Sequence, residues 1–330
     1  METVLTGDIG GTNARFALFR DGQYIESSLR KLPVADYPDL ADTIALYHTE
    51  AGDSADAVSK IALSVASTAE YTDFMELTNN KVSFKVSDLV ARFGLQQARV
   101  VNDFTAAALG VVSLPDKNLQ VINKGVLDSD GAKAVLGPGT GLGVSGLVYS
   151  GSHWIPLQGQ GGHVTMVSQT ERELAIRDVL EKKYGHVSAE RYLSGPGTVG
   201  VYQAICQIDD VPARYVEARD ISAAAINNSC DVCSEVMELF CKNLGIVAGD
   251  LAVTLGSSGG IYIAGGIVPH LGDYFINSDF LYWLHYKGRF SEFVKEMPVW
   301  LVTGGEPALF GAYQSLRPSY DNYGYTVHAC

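Results

Sequence analysis

Short apolar runs separated by glycine-rich turns set the rhythm of the chain. TVLTGDIGGT near the N-terminus and ARFALFR directly after it read as two strands that return on each other around a turn of small residues. AVLG, PGTGLG and VSGLVYSG, over 134–151, repeat that plan. Two hairpins of one design, each opening a segment of domain size, predict a duplicated architecture. Between them SKIALSV (59–65) and QARVVND (97–103) have the apolar continuity of buried strands. SDLVARFGL (87–95) reads as a short helix capped by Ser87, and FTAAALGVV after Asp103 as a helix that starts where a strand stops. The second half is more helical. Ser168 with Glu171, or Thr170 with Glu173, fits a capping box ahead of ELAIRDVLEKKYG, which Gly185 can close. A longer helical region runs from about Ile221 to Leu255. IYIAGGIV and PVWLVTG read as strands, GGEPALFGAYQSL as a glycine-entered helix, and SYDNYGYTVHAC as a polar tail with no core role. Alternating strands and helices predict α/β domains. With 330 residues two domains are expected, their boundary in a tight crossover near 108–134.

Composition adds one anomaly: 35 glycines in 330 residues, against an average of about 7%. The formal charge of −13 argues against nonspecific attraction to nucleic acid or to an anionic membrane surface. Five cysteines are too few for a disulfide framework and fit reduced core thiols. Cys230 and Cys233 form a C-x-x-C with no second pair at zinc-like spacing, so they read as helix-face residues. The N-terminus lacks the apolar run of a signal peptide. The uncharged stretches 134–170 and 251–269 are too rich in glycine and too interrupted by proline to be spans. A soluble, cytoplasmic protein is expected.

The glycine loops carry the candidate chemistry. No G-x-x-x-x-G-K-[ST] occurs, and the G-x-G-x-x-G match at Gly141–Gly146 runs into a strand-like segment where a dinucleotide motif must open a helix. The turn Asp8-Ile9-Gly10-Gly11-Thr12-Asn13 lets backbone N–H groups converge as an anion-binding concavity, with Thr12 and Asn13 adding donors. Asp8 would repel a bare phosphate but suits magnesium held through water. Gly139-Thr140-Gly141 repeats the backbone chemistry, and the pair of turns points to nucleotide. Asn102-Asp103 ends a strongly apolar strand, so Asp103 is either a helix N-cap or a carboxylate that accepts the proton of a substrate hydroxyl, Asn102 orienting the substrate. Gln160 and His163, in Gly159-Gln-Gly-Gly-His163, sit beside backbone that a ligand can approach closely. Glu190 can equally be the first-turn glutamate of a helix capped by Ser188.

In order, GDIGGTNARFALF, VNDFTAAALG, LGPGTGLGVSGL, GQGGHV, GHVSAERYLSGPG and IYIAGGIVP resemble the bacterial glucokinase family of the hexokinase, sugar-kinase and actin-like superfamily, from Gly7 to about Gly311. The resemblance implies a two-domain actin-like ATPase (ribonuclease H-like) α/β fold with a duplicated glycine-hairpin phosphate site. It implies a small domain over 1–110, to which a C-terminal helix at about 306–317 returns, a large domain over 111–305, a cleft between them, and often a homodimer. ATP phosphates would lie on Gly7, Asp8, Ile9, Gly10, Gly11, Thr12 and Asn13 and on Gly139, Thr140 and Gly141, with Gly265 and Gly266 nearer the nucleoside. Asp103 would be the general base for the sugar's terminal hydroxyl, Asn102, His163 and Glu190 would fall at hexose-binding positions, and ATP with Mg2+ would be required.

Two departures fall on the sugar side. Gln160 stands where the family reads glutamate, so a charge-assisted hydrogen bond to a sugar hydroxyl is lost. Val65-Ala-Ser-Thr68 replaces a proline- and glycine-containing sugar loop. The cysteine-rich zinc motif of the related ROK kinases does not follow His163, and no basic helix-turn-helix precedes the first loop. The expectation is ATP-dependent phosphorylation of a hexose, glucose by default. A kinase for a different hexose and a non-catalytic sugar sensor are the alternatives, an actin-like ATPase a third.

Overall fold

Strands at the centre of a covered sheet are buried on both faces, and the N-terminal TVLTGDI segment is buried at every position but Asp8, with Thr3, Thr6 and Gly7 standing among its apolar residues. It forms β1 (Thr3–Ile9), the first of fourteen strands among the described residues of a computed structural model, which describes 2–10, 13–34, 37, 39–52, 58–66, 72–77 and 82–329. Gly11, Thr12, and Ser67 and Thr68 of the sugar-loop segment lie outside the described residues. The other strands are β2 (Asn13–Arg20), β3 (Gln23–Pro33), β4 (Val58–Val65), β5 (Phe74–Glu76), β6 (Ser83–Lys85), β7 (Gln97–Asn102), β8 (Leu119–Asn123), β9 (Lys133–Pro138), β10 (Leu142–Tyr149), β11 (Trp154–Leu157), β12 (Ile261–Ile263), β13 (Val299–Val302) and β14 (Tyr325–His328).

The chain divides into two units. One comprises Met1–Pro115, Ser152–Leu157 and Gly304–Cys330, the other Asp116–Gly151 and Gln158–Thr303. In the first, the main sheet runs β14-β7-β4-β1-β2-β3. β1, β4 and β7 are mutually parallel, while β2 and β14 flank them antiparallel. In the second, the order β10-β9-β12-β13-β8 has the same pattern of directions: three parallel strands between two antiparallel neighbours. Leu5, Ile9, Phe16, Ile61, Leu63 and Val100 anchor the first core, and Leu136, Ile263, Leu301, Phe240 and Leu244 the second.

The register of the first sheet places its polar residues. Asp8 pairs with Ser64 and Ser64 with Val101, while Ile9 pairs with Val65 and Val65 with Asn102. The C-terminal ends of three parallel strands are therefore level, the edge at which α/β sheets bind ligands.

Several local expectations are corrected. The helix expected at 87–95 spans Val86–Phe93, and Ser87 does not cap it; its amide and hydroxyl instead donate to Asp73 at 2.8 and 2.7 Å. The helical region 221–255 is two helices, Ala218–Ile226 and Asp231–Leu255, broken where Asn228 adopts φ 50°. IYIAGGIV is a strand only to Ile263, because Gly265 turns left-handed (φ 82°) and Ile267–Leu271 is helical. Of the two capping boxes, Thr170 caps: its hydroxyl accepts the Glu173 amide at 3.2 Å at the start of helix Glu171–Tyr184. The tyrosine-rich tail does have a core role. It supplies β14, and it surrounds Arg99, a fully buried side chain of β7 whose guanidinium donates to the Tyr320 carbonyl and the Thr326 hydroxyl and pairs with Asp321 at 3.4 Å. A buried cation without such partners would be strongly destabilising. Among the described residues no helix is long and apolar enough to cross a membrane.

The helices Asp103–Val111 and Pro307–Ser315 touch backbone to backbone. A Cβ added at Gly110 would strike the Pro307 carbonyl, and one at Gly311 the Ala106 carbonyl. Gly311→Ala should lower the unfolding free energy by about 3 kcal/mol, at the upper end of overpacking penalties. Urea denaturation measures it, and an unchanged midpoint would show that the helices separate freely.

Candidate active site

Gly7 carries no Cβ because β1 is wedged between neighbours: one there would lie 2.7 Å from Leu63 and 2.8 Å from Phe16. The turn after β1 is closed by the Gly10 amide donating to the Asn13 carbonyl at 3.1 Å. Asp8, on the last turn-side position but one, is half-buried. Its Oδ1 accepts from the Ser64 hydroxyl at 3.3 Å, and its Oδ2 from Arg15 at 3.3 Å. Arg15 also reaches Glu306 at 3.3 Å, so one guanidinium bridges two carboxylates. Burial raises the Asp8 pKa, with Arg15 and Ser64 opposing the shift, and burial likewise raises that of Glu306.

At the end of β7 the two roles open to Asp103 are divided between neighbours. Asn102 is the N-cap: its Oδ1 accepts the amides of Phe104 and Thr105, each at 3.0 Å. Asp103, the first helical residue, leaves its carboxylate for other work. Oδ1 accepts Asn102 Nδ2 at 3.1 Å and the Phe104 amide at 2.8 Å. Burial, then the negative charge of Asp8, pushes the Asp103 pKa up to about 6, against the opposing hydrogen bonds.

In the second unit the turn between β9 and β10 is held from three sides. The Gly139 amide donates to the Gly141 carbonyl at 2.8 Å, and the Gly195 amide donates to the Gly139 carbonyl at 2.8 Å. The Leu142 amide donates to Glu190 Oε2 at 3.0 Å. A Cβ on Gly141 would sit 2.6 Å from that same carboxylate oxygen. Glu190 lies in the first turn of the short 3-10 helix Ala189–Arg191, with Ser188 at its N-cap position as expected but making no side-chain cap bond. Gly137 abuts Ala264 and Gly265, bringing Gly265 against the end of β9.

Gly161 and Gly162 press on β10, where any side chain would strike Val144 or the Leu142 carbonyl, and Gln160 and His163 are exposed on either side of them. Bonds from the Ala189 amide to the Val164 carbonyl (2.9 Å) and from the Met166 amide to the Val187 carbonyl (3.0 Å) tie this loop to that of Glu190. Gln160, His163 and Glu190 thus belong to one loop pair on β10. Gly141–Gly146 lies at the turn and within β10, so no helix follows the G-x-G-x-x-G match. Among the described residues no three His, Cys, Asp or Glu side chains group as a metal site. Sequence reasoning missed Arg15, Ser64 and Glu306. Alternation along β2 points Arg15 to the face of Asn13, a signal for the first of these only.

A glucokinase family profile matches residues 5–319. The glucokinase of Aromatoleum aromaticum is 43% identical over 313 residues, 94% of both chains. The chain belongs to the glucokinase family. A second member, from Paramagnetospirillum magneticum, is 42% identical over 312 residues, covering 94% of this chain and 96% of that one. The crystal structure of glucokinase from an Antarctic psychrotroph superposes with a TM-score of 0.83 at 33% identity, covering 96% and 99% of the two chains. A ROK family glucokinase from Streptomyces griseus, crystallised with glucose and AMPPNP, reaches 0.64 at 19% identity over 94% and 98%, a likeness of fold alone.

In this glucokinase family member the carboxylates of Asp103 and Asp8 are electrostatically linked. A folded-state value near 6, above the ordinary 3.8, means that the native state holds the Asp103 proton across that window, so this group's contribution to stability falls as pH rises through it. A carboxyl-carbon NMR titration should place Asp103 near 6, and Asp8→Asn should move it down, because one of the two raising influences is gone. An Asp103 titration that ignores Asp8→Asn would refute the link.

Proposed function

We propose that this chain transfers the terminal phosphoryl group of ATP to the terminal hydroxyl of a hexose, glucose by default, as a glucokinase. Membership of the glucokinase family over 5–319 carries the reading, and the chemistry of Asp103 supports it: a general base works best with a pKa near the operating pH, and Asp103 lies at about 6.

The sugar hydroxyl donates its proton to Asp103, whose Oδ1 is held by Asn102 and the Phe104 amide, so Oδ2 is the atom assigned to receive it. The freed oxygen attacks the γ-phosphorus as the bond to the β-phosphate breaks. Positioning and charge neutralisation do most of the work in such a transfer. Gly7, Asp8, Ile9, Gly10, Gly11, Thr12 and Asn13, and Gly139, Thr140 and Gly141, are the assigned phosphate contacts, with Gly265 and Gly266 at the nucleoside. Asn102, Gln160, His163 and Glu190 are assigned to the hexose. The half-buried carboxylate of Asp8 fits a Mg2+ that keeps its waters, since that ion needs only one or two carboxylates; when bound it would neutralise triphosphate charge. The matching strand orders of the two sheets support an actin-like, duplicated ancestry for the two units.

Coupled ADP release against a panel of hexoses tests the function: release should depend on sugar and be greatest with glucose, whereas sugar-independent release would mark an ATPase. Asp103→Asn should lose about 10²- to 10⁴-fold in kcat with ATP binding retained, and near-normal turnover would remove Asp103 from the role. Gln160→Glu restores a charged acceptor and should lower the glucose KM about tenfold. An unchanged KM would mean that Gln160 makes no such contact.

A further inference from the structure

The C-x-x-C of the second unit takes no part in the chemistry above, yet it has a definite geometry. Cys230 is the N-cap of the helix Asp231–Leu255, half-buried, with Sγ accepting the amide of Cys233 at 3.4 Å. Cys233, three residues on, is buried. The Cys230 thiol is its electrostatic neighbour. Burial, reinforced by this neighbour, pushes the Cys233 pKa up to about 12. A third buried thiol, Cys206 of the helix Gly195–Ile208, lies close enough to interact electrostatically with both. Residues three apart at a helix start fall within the Cα range that disulfides need, about 4.4–6.8 Å. Arg172 clamps the same ends of these helices, donating to Asp209 at 2.6 Å and to Glu235 at 2.7 Å. Arg172 thus ties the helix that carries Cys206 to the helix that carries Cys233. No His or carboxylate joins the thiols in a metal-binding group among the described residues.

We infer that Cys230 and Cys233 are a reversible dithiol–disulfide site, with half-buried Cys230 as the attacking sulfur, buried Cys233 as the resolving one and a small-molecule disulfide as oxidant. Cys230, its proton released to solvent, attacks one sulfur of the oxidant, and the bond between the oxidant's sulfurs breaks to release one thiol. Cys233 then gives up its proton and attacks the Cys230 sulfur, displacing the second thiol. Two protein thiols are oxidised and one small disulfide is reduced to two thiols. The half-buried position of Cys230 admits the oxidant, and burial of Cys233 confines it to the second step.

Native reduced protein is incubated with oxidised glutathione, quenched, alkylated and analysed by intact mass and peptide mapping. In the wild type, peptide mapping should find Cys230 and Cys233 linked to each other and neither of them carrying glutathione. Cys233→Ala should accumulate one glutathione on Cys230. Cys230→Ser, which keeps a good N-cap and should melt like the wild type, should show neither product. Five thiols still free in the wild type, or a link between Cys206 and Cys230, would overturn the assignment.

Discussion

Contact between backbones, with no β-carbon between them, is the constraint on which the rest of this molecule depends. The helix Asp103–Val111 is placed by such a contact, because Gly110 and Gly311 let it lie directly against Pro307–Ser315. That helix begins at Asp103, so a spacing set at its far end fixes the carboxylate at its near end. In the second unit the same principle acts at Gly137 against Ala264 and Gly265 and at Gly162 against the Leu142 carbonyl. Each site would reject even alanine. The glycine excess thus has two physical sources: clearance at close approaches such as these, and left-handed backbone at others such as Gly94 and Gly256, while Gly265 with φ 82° needs both.

Charge is arranged around that frame by burial more than by ion pairing. Asp8, Asp103 and Glu306 all have raised pKa values, and in each the largest cause is loss of water. One half-exposed guanidinium, Arg15, stands between Asp8 and Glu306. Its attraction opposes the burial shift at both carboxylates without cancelling it. Asp103 lacks that partner and feels Asp8 as a repulsive neighbour. Three acids in one unit are thereby raised together by burial, with different neighbours opposing or adding to the shift.

Much of this was legible in the sequence because the signals were local. The strands β1, β2, β4 and β7, the helix after Asp103 and the glycine turns are written in contiguous residues, and they lie within a residue or two of where the pattern puts them. The illegible features depend on partners distant in sequence. Arg99 stands among the apolar residues Ala98, Val100 and Val101 of β7, and its partners, Tyr320, Asp321 and Thr326, come from the tail more than two hundred residues later. Polar composition made that tail look detached, although the backbone hydrogen bonds of β14 and one buried guanidinium were enough to recruit it. Ser87 shows the opposite error. It has the right residue type for a cap, but the helix already starts at Val86, and Asp73, fourteen positions earlier, accepts the Ser87 amide and hydroxyl in place of a local cap.

Glu190 unites the two kinds of residue. One of its oxygens, Oε2, accepts the Leu142 amide and blocks the space over Gly141, so the carboxylate supports the glycine turn between β9 and β10. A carboxylate has about four lone-pair sites on two oxygens, so support of the turn leaves Oε1 available to a ligand hydroxyl. A ligand drawn to Oε1 would pull on the same rigid group that fixes the Leu142 amide. Glutamine at 190 would keep the shape but weaken the amide contact, since the charge-assisted bond is the stronger kind. At Gln160 no comparable constraint exists: its side chain is exposed beside a loop held by Gly161 and Gly162. A neutral amide is therefore structurally tolerable at 160 where it would not be at 190.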